Sequence, residues 1–131
     1  EDIPLPDQTF DIVLTTNTVD HVQSPDYFLR EVKRLLRPSG VLLFSVHSIA
    51  WYVCFFRWAI RMLDHNHPHH FLSSEVKILL KRNGFLLESI RRRPLFKEDA
   101  IPPDVNLFKK IVYTVAFYSI NTMYGVVRKI N

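Results

Sequence analysis

Between Phe10 and Thr16 the chain runs as an almost unbroken apolar stretch, FDIVLTT, entered through the turn residues Asp7-Gln8-Thr9. A short apolar run bounded by turn chemistry predicts a strand buried on both faces, as in a parallel sheet covered by helices. The next segment, SPDYFLREVKRLLRPSG, changes period, and Phe28, Val32, Leu35 and Leu36 fall on one helical face. Ser24 is placed to cap this helix, Pro25 suits its first position and Asp26 complements its positive end. Pro38 is expected to stop it, with Gly40 taking the left-handed conformation at its end. VLLFSV, residues 41–46, predicts a second buried strand. Strand, helix and strand in this order form a βαβ unit with a right-handed crossover.

The pattern then loosens. HSIAWYVCFFRWAIRMLDHNHPHH is aromatic in its first half, where only Arg57 and Arg61 interrupt it, and histidine-rich in its second. The apolar half is too short and too charged for a membrane span, so a covering helix or lid is expected. In FLSSEVKILLKRNGFLLESI the helical period returns, with Ser73 or Ser74 as cap, Glu75 in the first turn and Val76, Leu79 and Leu80 as the buried stripe. Asn83-Gly84 should end that helix, and Phe85–Ile90 reads as a third strand. A proline-containing loop follows, then a largely apolar helix over residues 105–122 and a closing strand, MYGVVRKI.

Composition narrows the class. With 131 residues and 47% hydrophobic content the chain suits one globular domain and excludes a disordered one. The net charge is only +4, and Arg91-Arg92-Arg93 and Lys109-Lys110 read first as solvated faces, so no nucleic-acid partner is expected. One cysteine, Cys54, allows no disulfide framework and no cysteine-based zinc site, which favours an intracellular, cytoplasmic protein. The histidines of DHNHPHH match no closed zinc spacing, so no metal is expected. The chain starts at Glu1 with no signal-like segment, and a fragment of a longer protein is the expectation.

One stretch is denser than chance. Ile3-Pro4-Leu5-Pro6-Asp7, Phe10-Asp11, His21-Val22, Leu29-Arg30-Glu31 and Arg34-Leu35-Leu36-Arg37-Pro38-Ser39-Gly40 follow one another in order. Together they resemble the second half of class I S-adenosylmethionine-dependent methyltransferases, in the small-molecule branch with type 11-like domains. HHFLSSEVKILLKRNGF and YGVVRKI resemble later segments of the same family. Ser39 departs from the family's usual Gly-Gly, and its glycine-rich loop has no counterpart here. The resemblance implies an α/β, Rossmann-like, doubly wound and mostly parallel sheet with an antiparallel last strand, lacking the amino-terminal glycine-loop half. Residues 1–131 would then be the carboxyl-terminal portion of one domain, with a lid or insert at 47–72 and a loop and apolar helix at 94–122.

The same resemblance implies S-adenosylmethionine as cofactor, contacted by Asp2, Ile3, Thr16 and Asn17. In open parallel sheets ligands sit beyond the carboxyl ends of the strands, which is where Thr16 and Asn17 would emerge. His21 and His47 are candidate proton acceptors, although His21 could equally fix the turn after the strand. Trp51, Tyr52, Phe55 and His70 stand where the family places substrate-facing elements, and they could equally be core. An apolar lid points to a small apolar acceptor. A non-catalytic remnant of the fold, acting by protein or membrane contact, is the alternative. An interfacial helix within Leu107–Val127 would serve such contact. Without the glycine loop, the 131 residues alone are expected to bind the cofactor weakly or not at all.

Overall fold

A computed structural model describes residues 3–58, 68–94, 106–107, 110 and 119–130. The first strand, β1 (Phe10–Thr16), leads through helix α1 (Pro25–Leu35) to a long second strand, β2 (Leu36–Ile49). After a 3₁₀ turn at Trp51–Phe56 come β3 (Phe71–Leu72), helix α2 (Ser73–Arg82), β4 (Phe85–Pro94) and β5 (Ile120–Lys129). The sheet order is β1-β2-β5-β4, with the short β3 beside β2. β1 and β3 pair parallel to β2, whereas β5 runs antiparallel between β2 and β4. This is a mixed, mostly parallel α/β sheet, and the predicted βαβ unit is present.

The core lies on one face of the sheet. Register places Leu42 opposite Val127 and Val46 opposite Met123. Leu29 and Val32 of α1 and Val76, Leu79 and Leu80 of α2 pack on them. Asp26 ties the two helices together through Arg82 and Asn83. The Arg82 hydrogen bond, more than any other interaction, lowers the pKa of Asp26. Gly125 lies under the Phe44 ring, where an added Cβ would come within 2.3 Å of Phe44 Cε1.

The structure corrects several sequence expectations. β1 is not buried on both faces, because Ile12 and Leu14 are 60% and 68% exposed. Their strand stands at the end of the sheet, with no partner on its outer side among the described residues. α1 stops at Leu35, before Pro38, because Leu36 is already extended (ψ 136°). Ser39, not Gly40, takes the left-handed conformation, at φ 60°. Gly40 matters for space instead, since a Cβ there would meet the Arg37 carbonyl at 2.9 Å.

The second helix is capped from the opposite direction to the one expected. Neither Ser73 nor Ser74 is the cap; Leu72 is, and the Glu75 carboxylate accepts its backbone N–H at 2.8 Å. Asn83 and Gly84 do end the helix, Gly84 at φ 79°. Finally, Ile120–Thr122 belong to β5 rather than to a helix, because they pair with Ile49, Ser48 and His47 in register. Most of the expected apolar helix (108–109 and 111–118), the loop 95–105 and residues 59–67 of the expected lid lie outside the described residues. Among the described residues no helix is long and apolar enough to cross a membrane.

Candidate functional site

The parallel pairing of β1 and β2 sets their carboxyl ends side by side, Thr16 opposite Ser45. The chain leaves β1 at Asn17, whose φ of 48° is left-handed. Asparagine tolerates that conformation better than most residues, and here two contacts hold it. The Asn17 N–H reaches the Ser45 carbonyl at 3.0 Å and the Ser45 hydroxyl at 3.2 Å. That hydroxyl in turn donates to Asn17 Oδ1 at 3.2 Å.

The turn then closes on itself. Thr18 donates its hydroxyl to the Thr16 carbonyl at 3.1 Å, and the His21 N–H bonds the Thr18 carbonyl at 3.0 Å. Val19 enters the core and Asp20 is fully buried. Among the described residues neither carboxylate oxygen of Asp20 has a hydrogen-bond partner. His47 of β2 lies beside it, with Nδ1 3.5 Å from Oδ2. Its chain neighbour His21, a candidate proton acceptor on the sequence, stands exposed on the turn. The missed signal is a charged residue directly after the core residue Val19, four residues beyond the end of the first strand of a βαβ unit. Strand register carries it next to whatever β2 presents two residues beyond Ser45.

A second segment braces this turn. The His69 N–H reaches the Asp20 carbonyl at 3.4 Å, its Nε2 lies 3.0 Å from the Val22 carbonyl, and its ring stacks on Phe71. Clefts among the described residues lie on either side of this region. One of about 430 Å³ lies over β1, β2 and β5 and is lined by Leu14, Thr16, Ser45, Tyr124 and Arg91. Another of about 460 Å³ involves His69, His70, Arg57 and Glu75. A small one of about 180 Å³ contains Trp51 and Arg92.

The expected site residues therefore separate. Thr16, Asn17 and His47 come together at the ends of β1 and β2. Ile3 does not join them through any described hydrogen bond. Its N–H donates to Glu31 of α1 at 3.1 Å, and its carbonyl accepts from Arg34 at 3.0 Å. The Arg34 guanidinium, followed by the Ile3 N–H, holds Glu31 at a pKa of about 2. Glu31 and Asp7 in turn raise Arg34 above its ordinary value. Asp2 lies outside the described residues. Trp51 and His70 line different clefts. Trp51 and Phe55 are 74% and 78% exposed, and Tyr52 is exposed beside them. No group of three metal-ligating side chains occurs among the described residues.

Comparison with known proteins places this geometry. Residues 1–44 match the family described as a methyltransferase domain. A probable S-adenosylmethionine-dependent methyltransferase of Mycolicibacterium smegmatis is 30% identical over 87 residues, covering 66% of this chain and 33% of that protein. The human thiol S-methyltransferase TMT1B is 49% identical over 43 residues, covering 33% of this chain and 18% of that protein. The chain thus spans a third or less of the length of these curated relatives. A SAM-dependent methyltransferase of Methanosarcina mazei has the same fold, with a TM-score of 0.66 at 18% identity over 98% of this chain and 63% of that one.

Proposed function

We propose that this chain, part of a class I S-adenosylmethionine-dependent methyltransferase, forms the acceptor side of a catalytic domain that methylates a small apolar molecule. The observation that carries this reading is the Asn17–Ser45 clasp where β1 ends beside the parallel strand β2, with Asn17 inside the segment that matches the family and Ser45 one residue beyond it. The residues present fit one side of the cofactor. Thr16 is exposed at the strand end, and Asn17 holds a turn with a defined backbone direction. The three glycines stand inside β2, after α2 and inside β5, so none forms a loop at the carboxyl end of a strand. This supports a site completed by residues beyond this chain.

When bound, S-adenosylmethionine supplies a methyl group on a sulfonium that is already a good leaving group. The protein's task is then alignment and exclusion of water. Thr16 and Asn17 would hold the cofactor's edge. His47 would accept the proton of an acceptor hydroxyl or thiol, and Asp20 would fix its ring and balance the imidazolium. His21 would serve the turn. The human relative's name adds thiols to the acceptors that deserve screening. Leu14 and Tyr124, in the cleft beside Thr16, give an apolar acceptor a wall.

The test uses the protein made from its full reading frame. Release of S-adenosylhomocysteine is measured with apolar thiol, phenol and quinol acceptors. The proposal predicts turnover that His47→Gln lowers by about 10²-fold or more, with cofactor affinity retained. No turnover with any acceptor, in a protein that binds the cofactor, would favour a non-catalytic remnant of the fold.

A further inference from the structure

Trp51, Phe55 and Trp58 are 74%, 78% and 65% exposed, and Tyr52 is exposed beside them. Four large aromatic side chains within eight residues form an apolar surface patch of a kind that soluble faces seldom carry. The patch is held firmly. Val53 turns into the protein, the Ala50 N–H bonds the Ser119 carbonyl at 2.7 Å, and Arg57 forks both guanidinium nitrogens onto Glu75 at 3.0 Å. Trp51 and Tyr52 meet edge to face, with ring centroids 6.0 Å apart.

From Trp51 to Trp58 the segment carries no acidic residue, and its one charged residue is Arg57. Register brings the end of β4 to the same edge of the sheet, since Pro94 pairs with Asn121 and Ile49 with Ile120. Arg91, Arg92 and Arg93 are exposed there, and Arg92 shares a cleft with Trp51. Glu75, the carboxylate beside the segment, is occupied by Arg57.

We infer that residues 51–58, with Arg91–Arg93 as their basic flank, form a surface that inserts into the interface of an anionic lipid membrane. Tryptophan and tyrosine favour that depth because an apolar ring carries a polar edge. Nearby arginines add attraction to anionic headgroups. Apolar insertion and basic residues together supply the two signals that stable peripheral binding needs. The surface lies on the membrane and does not cross it. This inference is independent of methyl transfer.

Both tryptophans of the chain lie in the patch, so intrinsic fluorescence reports on it alone. The chain is titrated with phosphatidylcholine vesicles containing roughly a third phosphatidylserine. Emission should move to shorter wavelength and be quenched by brominated acyl chains. Phe55→Ser, which keeps both reporters, should weaken apparent lipid affinity about tenfold. Replacing Arg91, Arg92 and Arg93 by Gln should weaken it and remove its salt dependence. Ile12→Lys, on β1 at the other edge of the sheet and outside the cleft that Arg91 lines, should leave it unchanged. Circular dichroism confirms that each variant is folded. Emission that stays constant with lipid overturns the proposal. So does a shift that Phe55→Ser leaves intact, or one that appears with protein concentration alone, which would assign the patch to a second copy of the chain.

Discussion

Asp20 and His47 meet across the end of the β1–β2 pair, with Oδ2 and Nδ1 3.5 Å apart and Asp20 fully buried. The two partners differ in their access to water. The His47 side chain is partly exposed and can be hydrated alone, whereas Asp20 cannot. Removing His47 therefore leaves a buried, uncompensated carboxylate, while removing the carboxylate leaves a ring that water can reach. His47→Ala should cost about 3 kcal/mol. Asp20→Asn should cost less than about 1 kcal/mol. Urea midpoints measure both, and the reverse order would show that the pair does not hold the turn in this way.

The clasp between Glu31 and Arg34 makes stability depend on pH. Glu31 is held at about 2 against an ordinary value of 4.5, so the folded state favours the carboxylate. Its contribution is complete above the unfolded value and is lost as pH falls from 4.5 towards 2. The melting-temperature difference between the parent chain and Glu31→Gln should shrink across that window. A constant difference would place the effect in packing rather than in charge.

Ser39 carries a side chain at φ 60°. That conformation costs an ordinary residue about 1 kcal/mol, which glycine avoids at some entropic expense. Ser39→Gly should stabilise the chain by up to about 1 kcal/mol. Destabilisation on thermal melting would mean that the serine side chain makes a compensating contact.

Among the described residues the outer side of β1 has no strand partner, and Ile12 and Leu14 on it are exposed. Such an edge invites pairing between copies. The isolated chain should self-associate as its concentration rises. Ile12→Lys and Leu14→Lys should reduce that association without lowering the melting temperature by more than a few degrees. Light scattering decides, and a monomeric parent chain at high concentration contradicts the expectation.

What the sequence disclosed depends on how local the cause is. Ser24, Pro25 and Asp26 act within one turn, and α1 starts where they put it, with Ser24 accepting the Tyr27 N–H at 3.3 Å. The stripe Val76, Leu79 and Leu80 is buried as its spacing requires. Failures came where a distant partner decides. The apolar run of β1 says that it needs cover, but not whether cover is present. Ile120–Thr122 became strand because β2 extends far enough to pair with them. The Asp20–His47 contact joins residues separated by helix α1 and most of β2, and no local pattern announces it. Trp51, Tyr52 and Phe55 read equally well as pocket or as core, and their exposure is not visible in the sequence.

The central claim is that the carboxyl ends of β1 and β2 face the cofactor and supply only one side of its site. The most direct test is a titration of the ¹⁵N-labelled chain with S-adenosylhomocysteine, followed amide by amide. The account predicts weak binding, with a Kd of about 1 mM or weaker (the loss of several contacts from a micromolar site). Its shifts should centre on Thr16, Asn17 and Ser45. Shifts centred on Ile3 and Glu31, or on the His70 cleft, would contradict it, as would micromolar affinity for the chain alone.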